Sequence, residues 1–225
     1  MNVNSDSLVQ RKSPVSREFL NATLRAVEGQ NQPWQLASSD KQPALFDFSL
    51  MPRFGVRGTA SAEYLQHRDI PLPTKVNEVI AADKTRWVAR LGKTEYWVFG
   101  ASDNQDLSEQ MSGLQSHKDG CYPVPCEEGR AWFVVDHSRR AEIMAKLCAV
   151  DLRDANFALG AIAQTSVARV NAVVMHHSLC ERAVFSIFID TASASYLWHA
   201  LLDALEEYGS GFGALADIFD SPATG

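Results

Sequence analysis

Long apolar runs are missing from this 225-residue chain: no stretch approaches about 20 uninterrupted apolar residues, which excludes a membrane-spanning helix. Positive charge is in deficit. The 21 Lys and Arg against 27 Asp and Glu leave a net charge of −6, and a groove that tracks phosphates needs a basic field, so a nucleic-acid binder is excluded. The amino terminus, MNVNSDSLVQRK, has no apolar core behind its charges and does not read as a secretory signal. The expectation is a cytoplasmic protein. Cysteine is sparse, at four residues: Cys121, Cys126, Cys148 and Cys180. Cys121 and Cys126 are spaced C-x4-C with no second pair downstream, and zinc needs about four ligands. His117 could join them, with Glu127 or Glu128 as a fourth, but an ordinary reduced pair in a loop is the favoured reading, and no metal site is assigned. Cys148, in AKLCAVDL, reads as a small buried hydrophobe on a helix.

Signatures of catalysis are lacking too. There is no G-x-S-x-G elbow and no phosphate-binding glycine loop followed by Lys. Gly55-Val56-Arg57-Gly58 is too short for a dinucleotide fingerprint and suits a turn into a helix. Asp136-His137-Ser138 sets three triad residue types side by side, but sequence neighbours seldom converge as a triad must, and Ser138 is better placed to cap a helix. Arg139-Arg140 then reads as a solvated helix start. His176 and His177 point to opposite faces of a strand, so they do not chelate one metal easily, and at a hairpin turn they read as solvated. Asp151 and Asp154, flanking Arg153, suit a loop in which carboxylates organise the turn. No catalytic, cofactor-binding or metal residue is singled out.

What the chain does have is patterned apolar content, 46% of its residues, and enough length to bury roughly 70% of its unfolded surface. Residues 1–43 read as a polar arm in which Ser16 caps one amphipathic helix carrying Phe19, Leu20, Leu24 and Val27, stopped by Gly29. Residues 44–130 read as a first α+β lobe and loop. Its strands are Leu45–Leu50, Arg53–Arg57, Lys75–Ala81, Arg86–Leu91 and Glu95–Phe99, with helices Ala60–His67 and Asp103–Leu114. Residues 131–209 repeat that order: strand Ala131–Val135, a helix from Ser138 to Leu147, strands Ala161–Gln164, Val167–Met175 and Ala183–Ile189, and a helix Ser193–Tyr208. Val88-Ala89-Arg90 in one half recurs as Val167-Ala168-Arg169 in the other, each opening a hairpin that leads to a helix. The last helix is the clearest element. Thr191 or Ser193 can cap it, Ala194, Leu197, Trp198, Leu201, Leu202, Leu205 and Tyr208 form one face with Trp198 as the plug, and Gly209 ends it. Residues 210–225 form an apolar tail.

Two pairs of segments carry a resemblance. AKLCAVDLRDANFALGAIAQTSVARVNAVV and SYLWHALLDALEEYG resemble the gamma subunit of heterotetrameric sarcosine oxidase, and PRFGVRGTASAEYL and VARLGKTEYWVFG are similar to the first half of such subunits. The same family includes the small subunit of N-methylglutamate dehydrogenase. The arm and the stretch Ser116–Gly129 have no counterpart in the family pattern.

The resemblance implies an α+β fold of two similar lobes, as in the folate-binding part of aminomethyltransferases. It implies a non-catalytic subunit of a cytoplasmic oxidoreductase complex of one-carbon metabolism. Such a complex oxidatively demethylates sarcosine or a related N-methyl amino acid and passes the one-carbon unit to tetrahydrofolate. FAD, FMN, NAD and tetrahydrofolate are then expected on larger alpha, beta and delta partner subunits, none on this chain. The other class is a free-standing folate-binding, aminomethyltransferase-like protein, which would need a third domain and a carboxylate facing the cavity between the lobes. A subunit role also predicts exposed apolar surface. Candidates are Phe19, Leu20, Leu24 and Trp34 of the arm and Phe212, Leu215, Ile218 and Phe219 of the tail, which either wrap a larger subunit or fold back on their own lobes.

Overall fold

The computed structural model describes residues 11–27, 29–37, 40–101 and 119–220. The helix expected at Asp103–Leu114, and His117, lie outside the described residues. The fold is α+β. A short 3-10 turn, Ser16–Phe19, leads into a hairpin of β1 (Ala22–Val27) and β2 (Gln30–Leu36). Next come β3 (Gln42–Asp47), β4 (Arg53–Arg57), helix α1 (Ser61–Gln66), β5 (Glu78–Ala81), β6 (Arg86–Arg90) and β7 (Glu95–Gly100). Then follow β8 (Tyr122–Val124), α2 (Cys126–Gly129), β9 (Arg130–Val135) and α3 (Arg140–Ala145). The chain continues through β10 (Ile162–Val167), β11 (Val170–Leu179), β12 (Arg182–Asp190), α4 (Ala194–Glu206), β13 (Ser210–Phe212) and α5 (Ala216–Phe219).

Two sheets stack in the middle of four layers. One has five strands in the order β5-β6-β7-β4-β8, the other six in the order β10-β11-β12-β9-β3-β13. The first four strands of each list are the same construction: a meander of three antiparallel strands whose last member pairs with the strand that precedes a helix. The duplication read from element order is therefore present in the topology. The tripeptide match does not follow it. Val88-Ala89-Arg90 lies within β6, whereas Val167 ends β10 and Ala168 and Arg169 form the tight turn, with φ of 47° and 69°. Strand β3, placed in the first half by sequence order, joins the second sheet between β9 and β13.

Strands buried on both faces should be apolar without alternation, and the central β9 and β12 of the six-stranded sheet nearly are. In β9 (RAWFVV), Ala131, Phe133 and Val135 face α3 and α4, while Trp132 and Val134 face the other sheet. In β12, Phe185, Ile187 and Ile189 take the helix side and Val184 and Phe188 the sheet side. The five-stranded sheet meets them with Trp87, Ala89, Trp97 and Phe99, and its outer face is covered by Tyr64 and Leu65 of α1. Rings fill the space between the sheets: Phe99–Trp132, Trp132–Phe188 and Trp97–Phe188 have centroids 5.2, 5.1 and 5.6 Å apart. Trp198 is fully buried on the helix side, 5.0 Å from Phe133, as its face of α4 predicts.

The arm corrects the sequence reading. Residues 22–27 pair with 30–36 as a hairpin instead of continuing a helix, turning at Gly29 with φ of 72°. A helix would have buried Phe19, Leu20, Leu24 and Val27 along one stripe; the structure buries only Phe19 and Val27. Phe19 reaches back to Trp198 and Phe212, and Trp34 stacks on Phe219 at 5.9 Å while donating to Asp220 at 3.3 Å. The tail folds back as well: β13 pairs in parallel with β3, and Leu215 and Ile218 are buried. These long-range ring contacts outweigh a helical spacing that only a few residues carried.

Capping was also misread. Ser138 makes no cap bond to α3; the Nδ1 of His137 accepts the Arg139 amide at 2.9 Å instead. At α4 neither Thr191 nor Ser193 caps with its side chain, and Asp190 accepts the Ala192 amide at 2.9 Å, organising a 3-10 turn that feeds the helix. Gly209, at φ of 66°, takes the left-handed position after α4 as expected.

Candidate functional site

The two adjacent histidines lie inside β11, exposed by only 2 and 3%, and not at a solvated turn. Their opposite orientation holds. His177 enters the aromatic layer between the sheets, 4.9 Å from Trp87 and 5.6 Å from Phe99. Trp132 Nε1 can only donate, so Ser186 Oγ accepts from it at 2.8 Å and gives its own proton to His177 Nε2 at 2.7 Å. His177 Nδ1–H then donates to the Ser178 carbonyl at 3.2 Å. Burial pushes the His177 pKa down to about 4, which keeps the neutral ring that this chain of bonds requires.

His176 points to the helix side and meets Arg140, another residue that is buried and not solvated. Arg140 Nη2 donates to His176 Nε2 at 3.0 Å and to Asp154 at 2.8 Å, and His176 Nδ1–H donates to the Phe157 carbonyl at 2.8 Å. The loop after α3 is thereby tied to β11. Asp136 pairs with Arg182 at 2.9 Å, so Asp136, His137 and Ser138 do not converge on one point. Asp151 accepts two bonds from the Arg153 guanidinium, one from Asn156 and one from the Arg153 amide, which hold its carboxylate below the usual range. Cys121, Cys126 and Cys148 are buried thiols and Cys180 is exposed. Burial pushes the Cys126 thiol up to about 12, out of reach of thiolate chemistry at neutral pH. Among the described residues no three His, Cys, Asp or Glu side chains are grouped to hold a metal ion.

Sequence reasoning missed the busiest polar side chain. Arg53, at the start of β4, is fully buried and spends all five N–H donors on five carbonyls. Nε reaches Cys126 at 2.9 Å; Nη1 reaches Ser49 at 3.1 Å and Met51 at 2.9 Å; Nη2 reaches Glu127 at 2.8 Å and also Arg130. Burial lowers its pKa to about 10, and it stays a cation at neutral pH. Next to it Arg11 binds Glu127 and the Ser49 carbonyl, and Asp47 accepts from Ser13 and the Ser49 amide. This hub locks the β3–β4 link, α2 and the amino-terminal segment together. The strand RFGVR carries an Arg at each end, nothing local marks the first as the buried one, and its partners are backbone atoms that no motif marks.

In front of the hub lies a cleft of about 320 Å³ between the amino-terminal segment and one face of the β1–β2 hairpin, lined by Arg11, Lys12, Phe19, Leu20, Leu24 and Leu50 among others. Its walls are largely apolar, and its charged lining residues are Arg11 and Lys12.

No family model matches the chain, and no curated protein matches it in sequence. Solved structures do. A chain of the heterotetrameric sarcosine oxidase from Corynebacterium sp. U-96, in complex with pyrrole 2-carboxylate, shares the fold with a TM-score of 0.66 and 19% identity, over 89% of this chain and 97% of that one. The glycine cleavage system aminomethyltransferase T from Bartonella henselae matches with a TM-score of 0.64 and 16% identity, over 91% of this chain and 59% of that one. The architecture is thus the one these two proteins share, as the resemblance implied. No helix of the described residues is long and apolar enough to cross a membrane.

Proposed function

We propose that this chain is a non-catalytic, gamma-type subunit of a heterotetrameric flavoenzyme that oxidatively demethylates sarcosine or a related N-methyl amino acid. The observation that carries the reading is the near end-to-end match to one chain of a heterotetrameric sarcosine oxidase, against little more than half of the aminomethyltransferase. Two features of this chain support it. The space between the sheets is filled by Trp87, Trp97, Phe99, Trp132 and Phe188, and the buried carboxylate of Asp47 is already engaged by Ser13 and Ser49. A pterin ring held by a carboxylate would need both the space and the free acid. In this reading FAD, FMN, NAD and tetrahydrofolate sit on larger alpha, beta and delta subunits, and this chain contributes packing and assembly.

The test is a tagged pull-down from the native source followed by an absorbance spectrum. Larger partners, flavin bands and turnover on sarcosine or N-methylglutamate are expected, and the preferred substrate names the enzyme. A lone colourless chain that binds tetrahydrofolate would overturn the reading in favour of a free-standing folate-binding protein, the role that the aminomethyltransferase match supports.

A further inference from the structure

The hairpin presents two faces of opposite character. Its inner side is anchored: Val27 and Trp34 are buried, and Trp34 is stacked on Phe219. Its outer strand, β1, exposes four consecutive residues, Thr23 to Ala26. Among the described residues the two most exposed large apolar side chains are Leu20 at 82% and Leu24 at 61%, and both line the same 320 Å³ cleft. Scattered exposed leucines are ordinary, but the two extremes converging on one concave, rigidly backed surface mark a contact site. The cleft's charged lining is Arg11 and Lys12, both cations, on a chain of net charge −6. The Arg11 guanidinium is committed to Glu127 and backbone carbonyls, which leaves the exposed Lys12 ammonium as the charge offered to a ligand.

We propose that this cleft docks an extended apolar segment bearing a carboxylate, supplied by a larger subunit of the complex, with its apolar side chains against Leu20 and Leu24 and its acid toward Lys12. The inference rests on the subunit reading above. Among the described residues β1 is paired on one edge only, by β2, so the segment can add its backbone to the ribbon as well as its side chains.

The experiment uses the full-length chain in the complex purified from its source. A photo-reactive benzoylphenylalanine replaces Leu24, and cross-linked peptides are identified by mass spectrometry. Cross-links to an acid-bearing apolar segment of a larger subunit are expected. In parallel, the Leu20→Ser/Leu24→Ser double variant should assemble at least tenfold more weakly with an unchanged thermal midpoint, and Lys12→Glu should weaken assembly most at low salt. Wild-type-like assembly of the double variant, or cross-links to residues 1–10 of this chain or to a second copy, would overturn the docking site while leaving the subunit reading intact. Failure of the wild-type chain to co-purify with larger subunits would instead remove both.

Discussion

In the six-stranded sheet β11 and β12 run for 10 and 9 residues and carry bulky apolar side chains to both faces, one under α3 and α4 and the other against the opposing sheet. The five-stranded sheet repeats the same meander with strands of three to six residues, and the described helix on its outer face, α1, has six. The second sheet also recruits β3 and β13 from outside the repeat, and the arm and tail seal its flank through Phe19 and Phe212. One topology thus supports two degrees of burial. Both sheets are covered on two faces, but the second has the longer strands and the larger described helical cover, so stability is expected to concentrate there, with the first sheet as its lid.

Truncations should break this asymmetry most sharply. Trp132→Ala, at the centre of the ring layer, is expected to cost about 3–5 kcal/mol, against about 1.5 kcal/mol for Val88→Ala under α1, read from chemical denaturation midpoints. Val88 costing as much as Trp132 would mean that the two sheets contribute equally. The hub that joins the sheets comes next. Arg53→Met leaves five carbonyls without their buried donor and should cost about 3 kcal/mol, and Arg53→Lys should recover only part of that, because an ammonium cannot reach five acceptors.

Acidification probes the inter-sheet layer through His177. Its folded pKa lies near 4, below the ordinary value of 6.5, so from pH 6.5 downward the unfolded chain takes up a proton that the folded chain refuses. Its share of stability is fully present above pH 6.5 and falls by up to about 3 kcal/mol as pH drops to 4. Buried Asp47, whose pKa is raised chiefly by burial, acts in the opposite sense: its protonation in the folded state restores stability as pH falls. The difference between wild type and His177→Asn cancels the Asp47 contribution; a difference that stays flat between pH 6.5 and 4 would place His177 in contact with water.

Gly55 tests how tightly the lid is fitted. A Cβ there would sit 2.9 Å from both the Trp97 ring and the Val124 Cβ, so Gly55→Ala should cost about 1–3 kcal/mol in a thermal melt. The smallest effect belongs to the outer hairpin face, where Leu20→Ser and Leu24→Ser should change the stability of the isolated chain by no more than about 0.5 kcal/mol. A larger loss would show that the cleft belongs to the core and not to an interface.

Much of the fold was legible in the chain. Alternation and apolar runs marked β4 at its observed bounds and β6, β7, β9 and β12 to within a residue or so, and the stripe of α4 announced Trp198 as a core plug. The order of these elements also carried the duplication. The polar interior was not legible. His176 and Arg140, 36 residues apart, bury one another, and His177 depends on Ser186 and Trp132 from two other strands. Read singly, each is a polar residue that belongs in water.

By itself, then, the sequence determined most strands of the two sheets, the helix α4 and their repeated order, because periodicity is a local property of neighbouring residues. Tertiary structure alone decided that the arm folds as a hairpin, that two histidines and two arginines are interior, and that Leu20 and Leu24 are left facing outward. Those outcomes depend on partners such as Trp34 and Asp220, separated by 186 residues, whose meeting no local pattern encodes.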